Sequence, residues 1–405
     1  MKKLGYDFQA ARELMLEKIR EMGTETIPLE KAYGRILAVD IQAKYDVPLF
    51  DRSPLDGYAF RAADTKDASQ EHPVTLSVVE EIPAGGYSKK ELRPGMAVKI
   101  LTGAPIPKGA DAVAKFEDTE YSETEVTLFI PYEANENVIF AGEDIRKEDV
   151  LAAAGTRIDA AVHGMLASQG FAKVEVYKAP LIGVISQGNE LISGNEELRP
   201  GKIYNTNRYL LSGALKKEDF NSIYLGTVRD NEVEISNMLA DAVSMYDVVL
   251  MTGGVSVGTY DFTEAAMRRA GAEILVDRIF MKPGSACCMG MLQGVPIFGL
   301  SGNPSAAMTT FHLVVLPIVR KIAGRKDYLP KKILVHLGSD FDKKSKNTRI
   351  LKGSLDLASG TAVMQLNEKQ GNGMVSSMHK AEVFAVVPAG SGALEKGCQL
   401  EAYLI

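Results

Sequence analysis

The chain has 405 residues and a formal net charge of −6, with 46% hydrophobic and 24% charged residues, 37 Gly and 17 Pro. This length is more than one hydrophobic core usually supports, so two or more domains are expected, and the composition excludes a disordered, collagen-like or coiled-coil plan. The acidic balance argues against a nucleic-acid binder and leaves room for a local cationic pocket for a small anion. The longest apolar stretch, residues 309–319, contains His312 and Pro317 and is shorter than the roughly 20 residues a bilayer requires. The N-terminus carries Lys2, Lys3, Asp7, Arg12 and Glu13 instead of an apolar leader, so no membrane span and a cytoplasmic location are expected. Cys287 and Cys288 are neighbours and read as core thiols, and the five histidines fit no zinc-binding spacing.

In chain order, residues 7–22 place Phe8, Ala11, Met15 and Ile19 at helical spacing behind an Asp7 cap, with Gly23 as the stop. Residues 46–144 change to short strand-like runs at 74–79, 96–101 and 126–130, cut by Pro and Gly turns, which predicts an inserted β-rich domain. A helix at Ala160–Ser168, between the Asp159 cap and Gly170, precedes a strand at Lys173–Tyr177. Beyond Pro180 strands and helices alternate: strand 181–186, helix 205–217, strand 223–228, helix 233–243, strand Val248–Thr252, helix 262–270, strand 297–300 and helix 305–323. Such alternation predicts a doubly wound, mostly parallel α/β sheet. From about residue 328 strands return, at Lys332–Leu337, 349–355, 382–387 and Gln399–Leu404, as a small terminal β-barrel or sandwich.

In a doubly wound sheet, ligands bind where loops gather at the carboxyl ends of the strands. Three glycine-bearing turns are expected there: 186–190, 252–258 and 300–304. The middle one, with Gly253, Gly254 and the Ser256 hydroxyl before a helix, has the build of a phosphate cradle, although tight turns with no ligand account for the bare pattern equally well. It matches neither a P-loop nor GxGxxG, which disfavours ordinary kinases, GTPases and dehydrogenases. Asp261 is either the cap of the following helix or a Mg²⁺ ligand beside a bound phosphate. Arg278 and Lys282 are either solvated surface cations or charge brought to the same crevice.

The run Phe50-Asp51-Arg52-Ser53-Pro54-Leu55-Asp56-Gly57-Tyr58-Ala59 resembles the FDxSxxDGYA signature of the MoeA/gephyrin E-domain family, the molybdopterin molybdenumtransferases. Further matches follow in family order at 101–105, 109–113, 142–145, 252–258, 281–284 and 302–304, so the resemblance covers nearly the whole chain. It implies four parts: residues 1–45 plus 145–178, the inserted domain 46–144, the α/β molybdopterin-binding-type domain 179–327 and the β-barrel-like domain 328–405. It also implies a homodimer with a shared cleft and Mg²⁺-dependent insertion of molybdate, as substrate, into adenylylated molybdopterin with release of AMP. By motif position, Asp56, Thr102, Asp144, Glu190, Asp230 and Lys282 would be catalytic. Gly253, Gly254, Ser256, Arg278, Pro283, Gly302, Asn303 and Ser376 or Ser377 would bind substrate, and Asp261 the metal. The partners implied are the upstream molybdopterin adenylyltransferase and apo-molybdoenzymes, with no nucleic acid and no membrane.

The chain departs from the family pattern at Asn189, in place of the Asp of a GDEL turn, at Ile139 or Phe140, where many members carry Arg, at Ser285 and at Ser301. Two rival readings remain beside the transferase: a nucleotide pyrophosphatase on the same cradle, and a non-catalytic scaffold.

Overall fold

The computed structural model describes residues 5–255, 262–358 and 360–405. The chain forms two compact units, one made of residues up to Val39 with Ala154–Asp159 and Lys173–Ile405, the other of Asp40–Ala153 with Ala160–Ala172.

The larger unit is built on a six-stranded sheet in the order Ser222–Val228, Ile182–Gln187, Val248–Thr252, Val295–Leu300, Cys287–Leu292 and Glu273–Val276. The first four strands are parallel and the last two antiparallel. The three central parallel strands are apolar almost throughout because helices cover both faces of the sheet. Leu211 and Leu215 of helix Asn207–Lys217 pack on one face with Val184, Leu250 and Phe298. Ile235 and Leu239 of helix Glu232–Val243 and Met267 of helix Phe262–Arg269 pack on the other with Ile185, Val249 and Met251. The doubly wound fold is therefore present, with an antiparallel edge that the sequence pattern did not predict. Cys287 and Cys288 lie in that edge, one in each core, and burial pushes the Cys287 thiol up, as fits core thiols.

The N-terminal helix is Phe8–Leu16, shorter than predicted. Asp7 caps it by accepting from the Gln9 and Ala10 N–H groups. The chain leaves the helix after Glu17, although Ile19 and Met22 still pack on the core, and the Met22 N–H donates to Ile322 O. A tertiary hydrogen bond has replaced the last helical turn. Residues Pro304–Ile322 form one continuous 19-residue helical run, long and apolar enough by length and composition to cross a membrane, but 83% of its apolar window is buried inside the protein. It is a core helix that widens into a π turn at Phe311–Val315. Pro317 has no N–H to offer the Leu313 carbonyl four residues earlier. The buried Arg12 guanidinium donates to that carbonyl at 3.1 Å, and burial lowers its pKa.

The terminal strands close into a five-stranded barrel: Thr348–Asp356, Val363–Leu366, Lys332–Leu337, Gln399–Leu404 and Val383–Val387, which returns to the first. Closure removes the exposed edges. Val335, Leu351, Met364 and Ala402 fill the interior, while Ile350, Phe384 and Tyr403 face outward into the α/β core. The smaller unit carries another six-stranded sheet, ordered Ala112–Lys115, Gly57–Phe60, Met96–Ile100, Val74–Ile82, Glu125–Leu128 and Thr119–Tyr121. Tyr58 and Phe60 pack on one side of it and Ala59, Val98 and Ile100 on the other, the period-two alternation expected of a sheet with two cores.

Candidate functional site

Two of the predicted turns, together with the described part of the third, meet at the carboxyl ends of the parallel strands, around a cavity of about 440 Å³. Glu190, Asp230, Gly253, Gly254, Gly302 and Asn303 all line it. Asp230 is fixed from two directions: the Gln187 side chain donates to one carboxylate oxygen at 2.9 Å and the Asn189 N–H to the other at 3.2 Å. The Asp230 N–H returns a bond to Asn189 Oδ1 at 3.4 Å, an acceptor role that Asn fills as well as Asp and without a second negative charge beside Asp230. Gln187 in turn accepts from Thr263 Oγ1, which also donates to Gly253 O, so one buried network ties the strand ends together. The backbone demands glycine here. Gly253 and Gly254 have φ of 103° and 61°, and a Cβ would lie 2.2 Å from Gln187 O and 2.0 Å from Gln187 Nε2 respectively.

The third turn places Gly302 and Asn303 ahead of Pro304, and Ser301 Oγ accepts from the Asn303 N–H at 3.2 Å, a use for the serine that departs from the family pattern. Asn207, buried at the first position of its helix, donates to Gly302 O at 2.9 Å and leaves its own Oδ1 without a partner among the described residues. No sequence motif marked Asn207. Ser256 and Asp261 lie outside the described residues.

Lys282 and Pro283 line a different cavity, of about 390 Å³, between the α/β domain and the barrel. Lys343 and Arg349 join them, with Gln370 and Asn372. Neither Lys343 nor Arg349 belongs to a motif. For Arg349 the available signal was charge inside the strand Thr348–Asp356; Lys343 lies in the loop before it and had none. Lys352, on the strand of Arg349, is fully buried with no hydrogen-bond partner for Nζ among the described residues, and desolvation lowers its pKa to about 8. The segment that lines this cavity at Gln370–Asn372 also touches the first. Asn372 O accepts from the Ala306 N–H at 3.2 Å, and a Cβ on Gly373 would lie 3.3 Å from Asn303 Oδ1. The two cavities are neighbours along the start of one helix. Ser376, beside this segment, is exposed, whereas buried Ser377 donates its hydroxyl to Met374 O at 2.6 Å, so Ser376 is the serine available to a ligand. Arg278 is half-buried and lines neither cavity.

Asp56, Thr102 and Asp144 belong to the smaller unit. One Asp56 oxygen accepts from both the N–H and the Oγ1 of Thr102, each at 2.7 Å, and these bonds, the backbone one foremost, lower the Asp56 pKa. A lowered folded pKa means a contribution to stability present above the unfolded value and lost as pH falls through the folded one. Thr102→Val removes the hydroxyl and keeps the N–H. NMR titration of the Asp56 carboxyl should find its pKa below 3.8 in the wild type, and raised but not fully restored in the variant. Asp144 is exposed, with its N–H held by Val47 O at 3.0 Å. Ile139, one of the departures, is bridged through the backbone to Arg52, whose buried Nε has no acceptor among the described residues.

The profile of the MoeA N-terminal region (domains I and II) matches residues 6–170, that of a probable molybdopterin binding domain 183–321, and that of the MoeA C-terminal region (domain IV) 335–405. The chain is 35% identical over 390 residues to the molybdopterin molybdenumtransferase of Staphylococcus epidermidis, covering 96% of this chain and 93% of the relative. It is 36% identical over 388 residues to that of Bacillus subtilis, covering 94% and 90%. The crystal structure of the molybdopterin biosynthesis MoeA protein from Pyrococcus horikoshii OT3 matches with a TM-score of 0.83 at 32% identity, over 99% of this chain and all of that one. With all three regions in order and relatives matched over nearly their whole length, this chain belongs to the MoeA family of molybdopterin molybdenumtransferases.

Proposed function

We propose that the chain inserts molybdenum from molybdate into adenylylated molybdopterin with release of AMP, as a Mg²⁺-dependent cytoplasmic homodimer. The observation that carries this reading is the division of charge between the neighbouring cavities. Among the described residues the strand-end crevice is lined by two carboxylates, Glu190 and Asp230, and no cationic side chain, whereas the cavity beside it holds Lys282, Lys343 and Arg349. A dianion such as molybdate suits the second. A phosphate-bearing ligand suits the first only with a cation to bridge it to the carboxylates.

The donor set fits Mg²⁺. That ion is commonly held by one or two carboxylates together with substrate phosphates, so a full protein cage is not required. Glu190 and Asp230, with Asp261 from the family motif, are the carboxylates that would hold the ion. When bound, it would neutralise charge on the phosphoanhydride that is cut to release AMP.

The chain's own groups do the rest. The Gly253 and Gly254 backbone lets the nucleotide end approach closely, the Asp230–Gln187–Thr263 network keeps the strand ends in register, and the three cations hold the oxyanion next to it. This lowers the repulsion between two anionic reactants. Asp56, Thr102 and Asp144, in the proposed dimer, complete the cleft of the partner subunit. The carboxylates of Asp56, Asp144 and Glu190 can accept protons or orient cations as oxo groups leave the metal.

The testing experiment supplies purified protein with Mg²⁺, molybdate and adenylylated molybdopterin and asks whether the product restores an apo-molybdoenzyme. Restoration is expected, and Asp261→Asn, which retains capping ability, should melt like wild type yet shift the Mg²⁺ dependence and cut turnover by roughly 10². Cleavage with no restored enzyme would favour the pyrophosphatase, and binding with no cleavage the scaffold.

A further inference from the structure

The smaller unit carries a cavity of its own, of about 670 Å³, unrelated to the motifs above, on one side of its six-stranded sheet. Val78, Val79, Glu80 and Glu81 all line it. In a regular strand, successive side chains point to opposite faces, so four consecutive residues cannot share one. The register between strand Val74–Ile82 and Met96–Ile100 shifts between Val78 and Glu81, a bulge that inserts one extra residue, with Val78 on the Tyr58 side of the sheet and Val79 packed on the opposite core. Glu123, from the hairpin opposite, adds a third carboxylate, against a single lysine, Lys99.

Aromatic rings complete the surface. Tyr58, Phe116 and Tyr121 form a triangle with centroid separations of 5.3, 5.7 and 5.6 Å. Tyr121 is 59% exposed at the rim, while Tyr58 is only 1% exposed yet lines the cavity. The Tyr58 hydroxyl has no hydrogen-bond partner among the described residues, and burial, with Tyr121 and Glu81 nearby, raises its pKa. The hydroxyl is open to the cavity rather than sealed in the core, so a ligand or water there can pair with it. The chain already shows what chemistry the surface accepts: the Lys99 ammonium lies 5.8 Å from the Phe116 centroid and 3.3 Å from Glu81.

We propose that this groove is a docking site for a lysine or arginine side chain of a partner protein, with its charge between Glu80, Glu81 and Glu123, its stem along Val78 and its head against Tyr121 and the Tyr58 hydroxyl. Carboxylates give the attraction, and the ring faces add cation–π contact. Lys99 is the internal competitor for the same positions.

The test is titration calorimetry of the intact protein at low salt with a nine-residue peptide bearing three lysines, and with its all-glutamine counterpart. Binding of the lysine peptide alone is expected, weakened roughly tenfold or more by Tyr121→Ala combined with Glu123→Gln. Lys99→Met should tighten it several-fold, whereas Lys108→Met, which removes the same charge from the Glu91 pair elsewhere, should not. Melting curves confirm that each variant is folded. Unchanged affinity in the double variant, equal effects of the two lysine substitutions, or spermidine competing as well as the peptide would each overturn the proposal.

Discussion

Lys282→Met is expected to cut molybdenum transfer by roughly 10²-fold or more, the scale seen when one preorganised electrostatic group is removed. Lys282 forms no ion pair among the described residues, so its charge is not spent on holding the fold together. Methionine has similar length and keeps the packing beside buried Met281. The loss should therefore fall on the oxyanion. The apparent KM for molybdate should rise, high molybdate should recover part of the rate, and binding of the adenylylated ligand in the neighbouring crevice should change little. Lys282→Arg should retain more activity than Lys282→Met because the charge remains. Molybdate titrations of the three proteins decide the matter: an unaltered KM in Lys282→Met would remove the cationic cavity from the reaction.

Gly253→Ala is expected to cost roughly 2–4 kcal/mol of stability and nearly all activity, from two independent penalties. The φ of 103° is one that an L side chain rarely adopts, and the new Cβ would meet the backbone oxygen of Gln187 at 2.2 Å, where no flexible side chain can move aside. The same carbonyl belongs to the residue whose side chain fixes Asp230 and accepts from Thr263, so any shift there disturbs the whole crevice. Denaturant unfolding and ligand binding measure the two effects. Wild-type stability in this variant would contradict the close backbone approach at this turn.

The fold was legible where periodicity is strong. Val248–Thr252, Ala160–Ser168 and Gln399–Leu404 have the bounds that their patterns predict, because strands buried on both faces and capped helices leave clear marks. Cys287–Leu292 and the edge strand Glu273–Val276 were missed: short strands with Gly290 and little alternation resemble loop. Residues 17–22 read as helix because Ile19 and Met22 keep the apolar spacing, while a tertiary bond at Met22 decides the backbone.

The site was legible through its glycines and acids, whose spacing is local. The grouping of side chains was not. Arg278 and Lys282, four residues apart, were read together, yet only Lys282 reaches a cavity, and its companions Lys343 and Arg349 come from the barrel more than 60 residues away. Distances of that kind are set by the closure of the barrel against the sheet, which no local pattern encodes.

The central claim is that oxyanion and nucleotide-linked pterin react as neighbours, so that cutting the phosphoanhydride is coupled to metal insertion. The rate of AMP release from adenylylated molybdopterin, measured with Mg²⁺ present and molybdate either added or withheld, tests this most directly. The account predicts release at least roughly tenfold faster with molybdate, and loss of that stimulation in Lys282→Met. Equal rates with and without molybdate in the wild-type protein would contradict it.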